Sequence, residues 1–187
     1  TFKNETLTIV VGSSWPKDES LLVDYINQTS EKVKFIIAPH NIKSEQIQEL
    51  KNSISKKVVL FSEKETKNLA DFDVFIIDTI GILTKIYSYA DIAYVGGGFG
   101  NPGVHNILEP ATFGVPIVIG PNFNHFAEAT ALVNLEGSIS IANKNELSDA
   151  FSNLIRNDDI RHEKGHICST FVQMNKGATA IILKHIS

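Results

Sequence analysis

Short runs of consecutive apolar residues recur along the chain and are separated by longer polar or amphipathic segments. Within a run, neighbouring positions are apolar together instead of alternating with polar ones. A strand with this pattern is buried on both faces, as in a parallel sheet covered by helices. The pattern predicts strands at residues 7–11, 33–38, 57–61, 74–77, 92–95, 117–119 and 138–141.

The segments between these runs have the apolar spacing of helices. It predicts helices at residues 18–28, 43–53, 81–89, 107–113, 125–135, 144–156 and 158–186, the last with a break at Gly177. Strands that alternate with helices are typical of an α/β fold, here a Rossmann-like parallel sheet with helices on both faces. No repeat or internal boundary interrupts the pattern, so residues 1–187 are predicted to form a single domain.

Composition narrows the classes of function. The 187 residues are 43% hydrophobic and 20% charged, which suits one sizeable core. A net charge of −4 gives no general attraction for nucleic acid, so no nucleic-acid partner is expected. Cys168 has no second cysteine to pair with and is interpreted as a packing residue. No apolar run is long enough to span a bilayer, and the chain is expected to be soluble.

No grouping of His, Cys and acidic residues has the spacing of metal ligands, and no nucleophile is paired with a base. We therefore expect no metal site, no cofactor and no catalytic residue in this chain. The carboxylates that follow predicted strands are Asp78 and Glu109, and the second is better placed to bind a ligand. Because no other group could deprotonate an acceptor, the chain alone is expected to be inactive as an enzyme.

A glycine-rich loop follows the fifth predicted strand. Five of the eight residues 96–103 are glycines, so the backbone can approach a ligand closely and offer N–H groups to it. A predicted helix follows, and helix N-termini favour anions. Since ligands bind parallel sheets at the carboxyl ends of the strands, Gly97 and Gly98 are predicted to bind a phosphate or carboxylate. The alternative is a flexible connection without a ligand.

The loop also contains a GxGxxG match at Gly98, Gly100 and Gly103, which raises the possibility of a dinucleotide-binding enzyme. That motif requires an acidic residue at the end of the next strand, and this strand ends Ile119-Gly120-Pro121 instead. The match also comes late in the chain, whereas the fingerprint belongs at the first strand. A P-loop is excluded as well, because no Gly-Lys-Ser/Thr occurs. Both nucleotide-binding classes are rejected.

An amide and a carboxylate follow the loop, three positions apart. On a helix, Asn106 and Glu109 would face the same way. One interpretation is a capping box, with Asn106 as the N-cap and Glu109 as the third helical residue. The other is ligand binding, in which Glu109 accepts hydrogen bonds from ribose hydroxyls and Asn106 lies nearer the phosphate. The two roles are compatible. His105, just before them, is interpreted as a ligand group or as a turn residue.

Polar residues also follow the first two predicted strands. Ser13 and Ser14 offer two hydroxyls and backbone N–H groups that suit a phosphate or a sugar carboxylate. Ser14 would serve equally as the N-cap of the next helix. His40, after Pro39, is interpreted as a contact to a phosphate or base, or as a surface residue without a role.

Together these segments resemble the donor-binding domain of the Kdo (3-deoxy-D-manno-octulosonate) transferases. The longest match is residues 87–123, YSYADIAYVGGGFGNPGVHNILEPATFGVPIVIGPNF. Residues 11–19 (VGSSWPKDE) are similar to the Gly-Ser-Ser/Thr segment of that family, residues 37–40 (IAPH) to its Ala-Pro motif, and residues 78–83 (DTIGIL) to its Asp-Thr-x-Gly-x-Leu loop. The order and spacing hold along nearly the whole chain, and the C-terminal helical tail is the weakest part.

The resemblance implies a glycosyltransferase of the GT-B architecture, in which two Rossmann-like domains face each other across a cleft. The chain matches the C-terminal domain, which would bind the nucleotide sugar CMP-Kdo. The N-terminal domain, absent from this chain, would hold the lipid A precursor, the membrane-contacting surface and the catalytic base. The implied reaction inverts the anomeric centre, needs no divalent metal and belongs to lipopolysaccharide biosynthesis. The parent protein would lie on the cytoplasmic face of the bacterial inner membrane.

The resemblance also adds residues to the expected site and carries two departures. Many members have Arg and then His after the Ala-Pro proline, where this chain has His40 and Asn41, and many have Glu where Ile82 stands. If that Arg binds the donor phosphate, His40 or loop N–H groups must replace it here. The residues expected to bind CMP-Kdo are Ser13, Ser14, Pro39, His40, Ile80, Gly81, Ile82, Gly97, Gly98, His105, Asn106 and Glu109.

Two other functions remain open from the sequence. Another GT-B glycosyltransferase or a sugar-nucleotide epimerase would loosely share the Gly114-Val115-Pro116 segment after a helix-start Glu, but would use a different nucleotide. A non-catalytic module that binds a sugar nucleotide or phospholigand would need no base. The nucleotide that binds best distinguishes the first of these from a Kdo transferase.

Overall fold

The computed structural model describes residues 2–177. Within that range one sheet contains the strands β1 (Leu7–Ser14), β2 (Val33–Pro39), β3 (Val58–Leu60), β4 (Val74–Ile76), β5 (Ile92–Val95), β6 (Ile117–Ile119) and β7 (Ser138–Ser140). Every neighbouring pair is parallel. The spatial order is β3-β4-β2-β1-β5-β6-β7.

Helices connect the strands and cover the sheet. None of the helices in residues 2–177 is long and apolar enough to cross a membrane. Short 3-10 helices lie at Phe61–Thr66, Leu69–Asp71 and Tyr87–Tyr89. The α-helices are α1 (Pro16–Gln28), α2 (Ser44–Ser53), α3 (Leu83–Ile86), α4 (Leu108–Ala111), α5 (Ala127–Asn134), α6 (Lys144–Arg156) and α7 (Asp158–Met174).

Successive residues of the central strands enter two separate hydrophobic clusters, one on each face of the sheet. In β1, Ile9 and Val11 belong to one cluster and Val10 to the other. Buried residues of α1, α2 and α6 complete the first cluster, and buried residues of α3, α4, α5 and α7 complete the second. Because both faces are covered, most neighbouring strand positions are apolar; Thr8, Lys34 and Ser138 are buried polar exceptions. The predicted fold class is confirmed.

The predicted strands and helices are present in the predicted order and differ mainly at their ends, but the 3-10 helices at Phe61–Thr66 and Leu69–Asp71 were not predicted. β1 continues through Ser14 because residues 12 and 14 still pair with β2. α1 begins at Pro16, two positions before the predicted start, since proline suits the first turn of a helix. α4 is a single turn, much shorter than predicted. The part of the predicted last helix beyond residue 177 lies outside the described residues. Cys168 is fully buried, as a packing residue should be.

The strand order creates a crevice between β1 and β5. From β1 the chain moves outward to β2 and on to the edge strand β3, and then returns to β4 between them. After crossing to β5 it moves the other way through β6 to β7. The connections that leave β1 and β5 therefore diverge at the carboxyl edge of the sheet. In open parallel sheets this switch point is where ligands bind.

Two glycines allow the loop after β5 to touch the end of β6. A Cβ atom on Gly98 would lie 2.7 Å from the backbone of Gly120, closer than Cβ atoms come in real structures. We expect G98A to lower the free energy of unfolding by about 1–3 kcal/mol, because the two backbones would have to separate.

The matched control is G100A, in the same loop, where the nearest atom to a new Cβ would be 3.3 Å away on Pro102. We expect only a small change for this variant. Denaturant unfolding of both proteins measures the difference, and equal destabilisation would contradict the explanation.

Candidate functional site

The residues predicted to bind a ligand follow four strands that are neighbours in the sheet: β4, β2, β1 and β5. All strands are parallel, so the segments after them emerge at the same edge. At this edge of the sheet, side chains in direct contact with one another form two groups. The aromatic cluster comprises Trp15, His40 and His105, and the polar cluster comprises Thr84, Asn106 and Glu109.

A buried carboxylate anchors this edge. Asp18, in the first turn of α1, has no exposed surface. It accepts hydrogen bonds from the Trp15 backbone N–H (2.9 Å), the Tyr94 hydroxyl (2.7 Å) and the Gly97 backbone N–H (2.9 Å). A carboxylate that is buried away from water requires hydrogen-bond donors from the protein. Here the donors come from the turn after β1, from β5 itself and from the glycine loop. Asp18 therefore holds the two sides of the switch point together.

The Tyr94 hydroxyl can only act as the donor in this arrangement. Burial raises its pKa strongly, and the charge of Asp18 raises it further. The phenol therefore keeps its proton, which points at the carboxylate. Sequence reasoning missed Asp18, because an acidic residue in the first turn of a helix is ordinary and nothing nearby signals that it is buried.

The turn after β1 is held in an unusual backbone conformation. Ser13 has φ +53°, in the left-handed region that few residues other than glycine adopt. Ser14 is buried; its carbonyl accepts from the His40 N–H (2.8 Å) and its hydroxyl donates to Glu19 (3.0 Å). Burial raises the pKa of Glu19. The N-cap position of α1 belongs to Trp15, so the interpretation of Ser14 as that N-cap is wrong.

The aromatic cluster joins the turn after β1, the end of β2 and the segment after the glycine loop. The Trp15 and His40 rings stack with centroids 4.5 Å apart, and the His40 and His105 rings stack at 4.6 Å. The Trp15 indole N–H donates to Nε2 of His105 at 2.7 Å. Burial lowers the pKa of His105, and neighbouring His40 lowers it further, while Asp18 acts in the opposite direction.

The polar cluster joins the segment after the glycine loop to α3. Asn106 Nδ2 donates to one oxygen of Glu109 (3.1 Å), and the Thr84 hydroxyl donates to the other (3.1 Å). Asn106 Oδ1 accepts from the Leu108 N–H (3.1 Å), so this side chain does satisfy a donor at the start of α4. Glu109 is bonded to side chains and not to the backbone before α4, so the reciprocal capping box is not formed.

The glycine loop differs from its prediction in two respects. The Gly97 N–H donates to Asp18, so it is not available to a ligand. The helix expected directly behind the loop is the single turn α4, preceded by His105, Asn106 and Ile107. The strength of a helix dipole depends on aligned turns, so the predicted helix contribution to anion binding is largely absent. Gly98 is buried against Gly120.

The segment after β4 is the most exposed part of the predicted site. Ile80 is 77% exposed, and Gly81 has φ +84° with open space around it. Ile82 is partly buried against the core. The adjoining Asp78 accepts two hydrogen bonds from Ser62, from its N–H (3.0 Å) and its hydroxyl (2.5 Å).

Two cavities flank the clusters. One, of about 350 Å³, lies between α1 and α2 and includes Ser14 and Pro39 in its wall. The other, of about 420 Å³, is lined by residues 102–108 with Phe126 and Glu128, and so includes His105 and Asn106. In the described part of the chain, no three His, Cys or acidic side chains are grouped as metal ligands would be.

Curated proteins resemble this chain in sequence. A 3-deoxy-D-manno-octulosonic acid transferase of Chlamydia trachomatis serovar D is 33% identical over 166 residues, which cover 84% of this chain and 37% of the relative. One of Chlamydophila psittaci is 37% identical over 122 residues, covering 63% of this chain and 27% of the relative. The chain thus spans well under half the length of these relatives. No family model matches it.

A solved structure has the same fold. The C-terminal CMP-Kdo binding domain of WaaA from Acinetobacter baumannii superposes with a TM-score of 0.78 at 19% identity, and the match covers 92% of both chains. The predicted fold, that of the C-terminal domain of GT-B glycosyltransferases, is confirmed.

The role of Asp18 as the anchor of the site is testable by stability. We expect D18A to lower the free energy of unfolding by about 3 kcal/mol or more, because three buried donors lose their acceptor. The matched control is D24A, the same substitution at an exposed position of the same helix, with a change of about 0.5 kcal/mol or less. Denaturant unfolding measures both, and a small effect for D18A would show that water replaces the carboxylate.

Proposed function

Because the chain belongs to the 3-deoxy-D-manno-octulosonic acid transferase family, we propose that residues 1–187 form the single domain with which such an enzyme binds its donor, CMP-Kdo. The related A. baumannii domain binds CMP-Kdo and has the same fold. The proposed site is the carboxyl edge of the sheet at the switch point between β1 and β5, where the aromatic and polar clusters lie.

The polar cluster is the observation that carries this proposal. It connects the end of the DTIGIL segment, through Thr84, with the HNILEP segment, through Asn106 and Glu109. Each oxygen of Glu109 accepts one hydrogen bond from the protein and retains a lone pair for another. Two adjacent ribose hydroxyls can donate to one carboxylate in this way, so Glu109 is proposed to hold the ribose, with Asn106 towards the phosphate.

The nucleotide phosphate is proposed to lie against the glycine loop. In residues 2–177 the N–H groups of Gly98 and Phe99 donate to no protein acceptor, and the turn of Ser13 and Ser14 lies beside the same loop. When the sugar leaves, negative charge accumulates on the CMP phosphate. Donors that are already fixed in place, here through the Asp18 anchor, would stabilise that charge without rearrangement.

The rest of the reaction is assigned to the whole enzyme. In this proposal the acceptor is a lipid A precursor held by an N-terminal domain, which also supplies the general base and the contact with the inner membrane. Asp78 is engaged by Ser62, and Glu109 by Asn106 and Thr84, so neither carboxylate is placed as a free base. The residues of this chain would bind the donor and stabilise the leaving group.

Nucleotide preference tests the assignment. We expect the chain to bind CMP more tightly than UDP or GDP in calorimetric titrations. Binding should be weak, since in this proposal residues 1–187 form only one side of the cleft. A clear preference for UDP would overturn the Kdo assignment in favour of another GT-B glycosyltransferase or an epimerase, which have the same kind of fold.

A substitution of Glu109 tests the proposed ribose contact. E109Q preserves the shape of the side chain but weakens it as an acceptor. We expect roughly a tenfold or greater loss of CMP affinity, because a hydrogen bond to a charged group contributes about 1.5–3 kcal/mol. E45Q, at an exposed position of α2, is the matched control and should leave CMP affinity unchanged.

N106A completes this test. If Asn106 only satisfies the start of α4, this variant should lose about 1 kcal/mol of stability and retain its CMP affinity. Melting curves and CMP titrations on both variants distinguish the two roles. Lower stability with unchanged affinity in both would exclude the pair from the ligand site.

A further inference from the structure

The hydrogen bond between Trp15 and His105 determines where the neutral imidazole carries its proton. Trp15 is the only tryptophan of the chain, and an indole N–H can donate but never accept. It donates to Nε2 of His105 at 2.7 Å, so that nitrogen must present a lone pair. A neutral His105 must then carry its proton on Nδ1.

Packing keeps the His105 ring in this orientation. The His40 ring stacks on the His105 ring with centroids 4.6 Å apart. The Cδ2 edge of His105 lies against Gly97, where an added Cβ atom would be only 2.9 Å from Cδ2. Nδ1 lies on the other side of the ring from that edge. In residues 2–177 the Nδ1 atom of His105 donates to no protein acceptor. The His105 ring is nevertheless only partly buried.

The charges around the ring favour its neutral form. His40 and burial both lower the pKa of His105. The charge of Asp18, in the first turn of α1, raises the pKa of His105. The Asp18 oxygens, however, already accept hydrogen bonds from Trp15, Tyr94 and Gly97. The other charged groups of α1 are Lys17, Glu19 and Asp24, and the charged group of α4 is Glu109, which is bonded to Asn106 and Thr84.

We propose that Trp15 is a positioning residue of the donor site. Trp15 holds His105 in the Nδ1–H tautomer, so that the ring offers a neutral hydrogen-bond donor to a phosphate oxygen of the nucleotide. The role of Trp15 rests on the geometry above, and the phosphate contact rests on the proposed function. A neutral histidine side chain in water populates both tautomers, so a partner that selects one raises the fraction of the protein that is competent to bind.

The tautomer is directly measurable. Nitrogen-15 NMR of the labelled chain distinguishes a protonated from an unprotonated ring nitrogen. We expect His105 to carry its proton on Nδ1 in the wild type and to shift towards the Nε2–H form in W15F, which retains an aromatic ring but lacks the indole donor. An Nε2–H tautomer in the wild type, or an unchanged tautomer in W15F, would overturn the proposal.

Affinity for CMP provides the second readout. In H105N the side-chain amide N–H occupies a place close to that of Nδ1–H, whereas in H105Q it occupies a place close to that of Nε2–H. We expect H105Q and W15F to bind CMP roughly two- to tenfold more weakly than the wild type, and H105N to retain more of the affinity. Cytidine, which lacks the phosphate, should bind the wild type and these variants alike.

Matched controls and alternative outcomes complete the experiment. H162N and H162Q, at an exposed position of α7, should leave CMP affinity unchanged, and melting curves identify any variant that fails to fold. Equal or tighter binding by H105Q than by H105N, or equal losses for CMP and cytidine, would overturn the phosphate contact. If the wild type binds no CMP, the proposed function and the phosphate contact both fail, while the NMR comparison still decides the role of Trp15.

Discussion

The buried carboxylate of Asp18 is the interaction on which the site depends. A charge with no exposed surface is stable only when donors surround it, and here the donors are Trp15 on one side and Tyr94 and Gly97 on the other, two parts of the chain that are distant in sequence. The Trp15–His105 hydrogen bond also links these two segments, but Asp18 joins the turn after β1 to the loop after β5 from a buried position. Because both are bonded to one carboxylate, they form one wall with a defined shape. The Gly97 N–H donates to Asp18 and so helps to shape the loop.

The two side-chain clusters lie next to each other because His105 and Asn106 are consecutive in sequence. His105 belongs to the stack with Trp15 and His40, while Asn106 is bonded to Glu109. A nucleotide with its ribose at Glu109 would therefore have its phosphate near the stack. In the proposed site, neutral donors and a carboxylate would contact the nucleotide, whereas other phosphate sites are built around permanent positive charges.

Much of the fold was predictable because its signals are local. Neighbouring apolar residues in short runs require burial on both faces, and in residues 2–177 the two hydrophobic clusters provide it. The strand at Ile117–Ile119 and the helix at Lys144–Arg156 have the predicted bounds. α4 is a single turn that packs against α7, and it is shorter than its apolar spacing suggests. The binding role of the site residues stays a prediction, but their common edge follows from the parallel sheet.

The sequence by itself determined the order of elements, the parallel sheet and the family resemblance, because each depends on residues close together in the chain. Tertiary structure alone decided that Asp18 is buried and that His105 faces an indole donor. Asp18 and Gly97 are 79 positions apart, and Trp15 and His105 are 90 positions apart. Whether a carboxylate lies in water or among three donors, and which imidazole nitrogen keeps the proton, depends on partners that only folding brings within hydrogen-bond distance. No local pattern encodes such a partner.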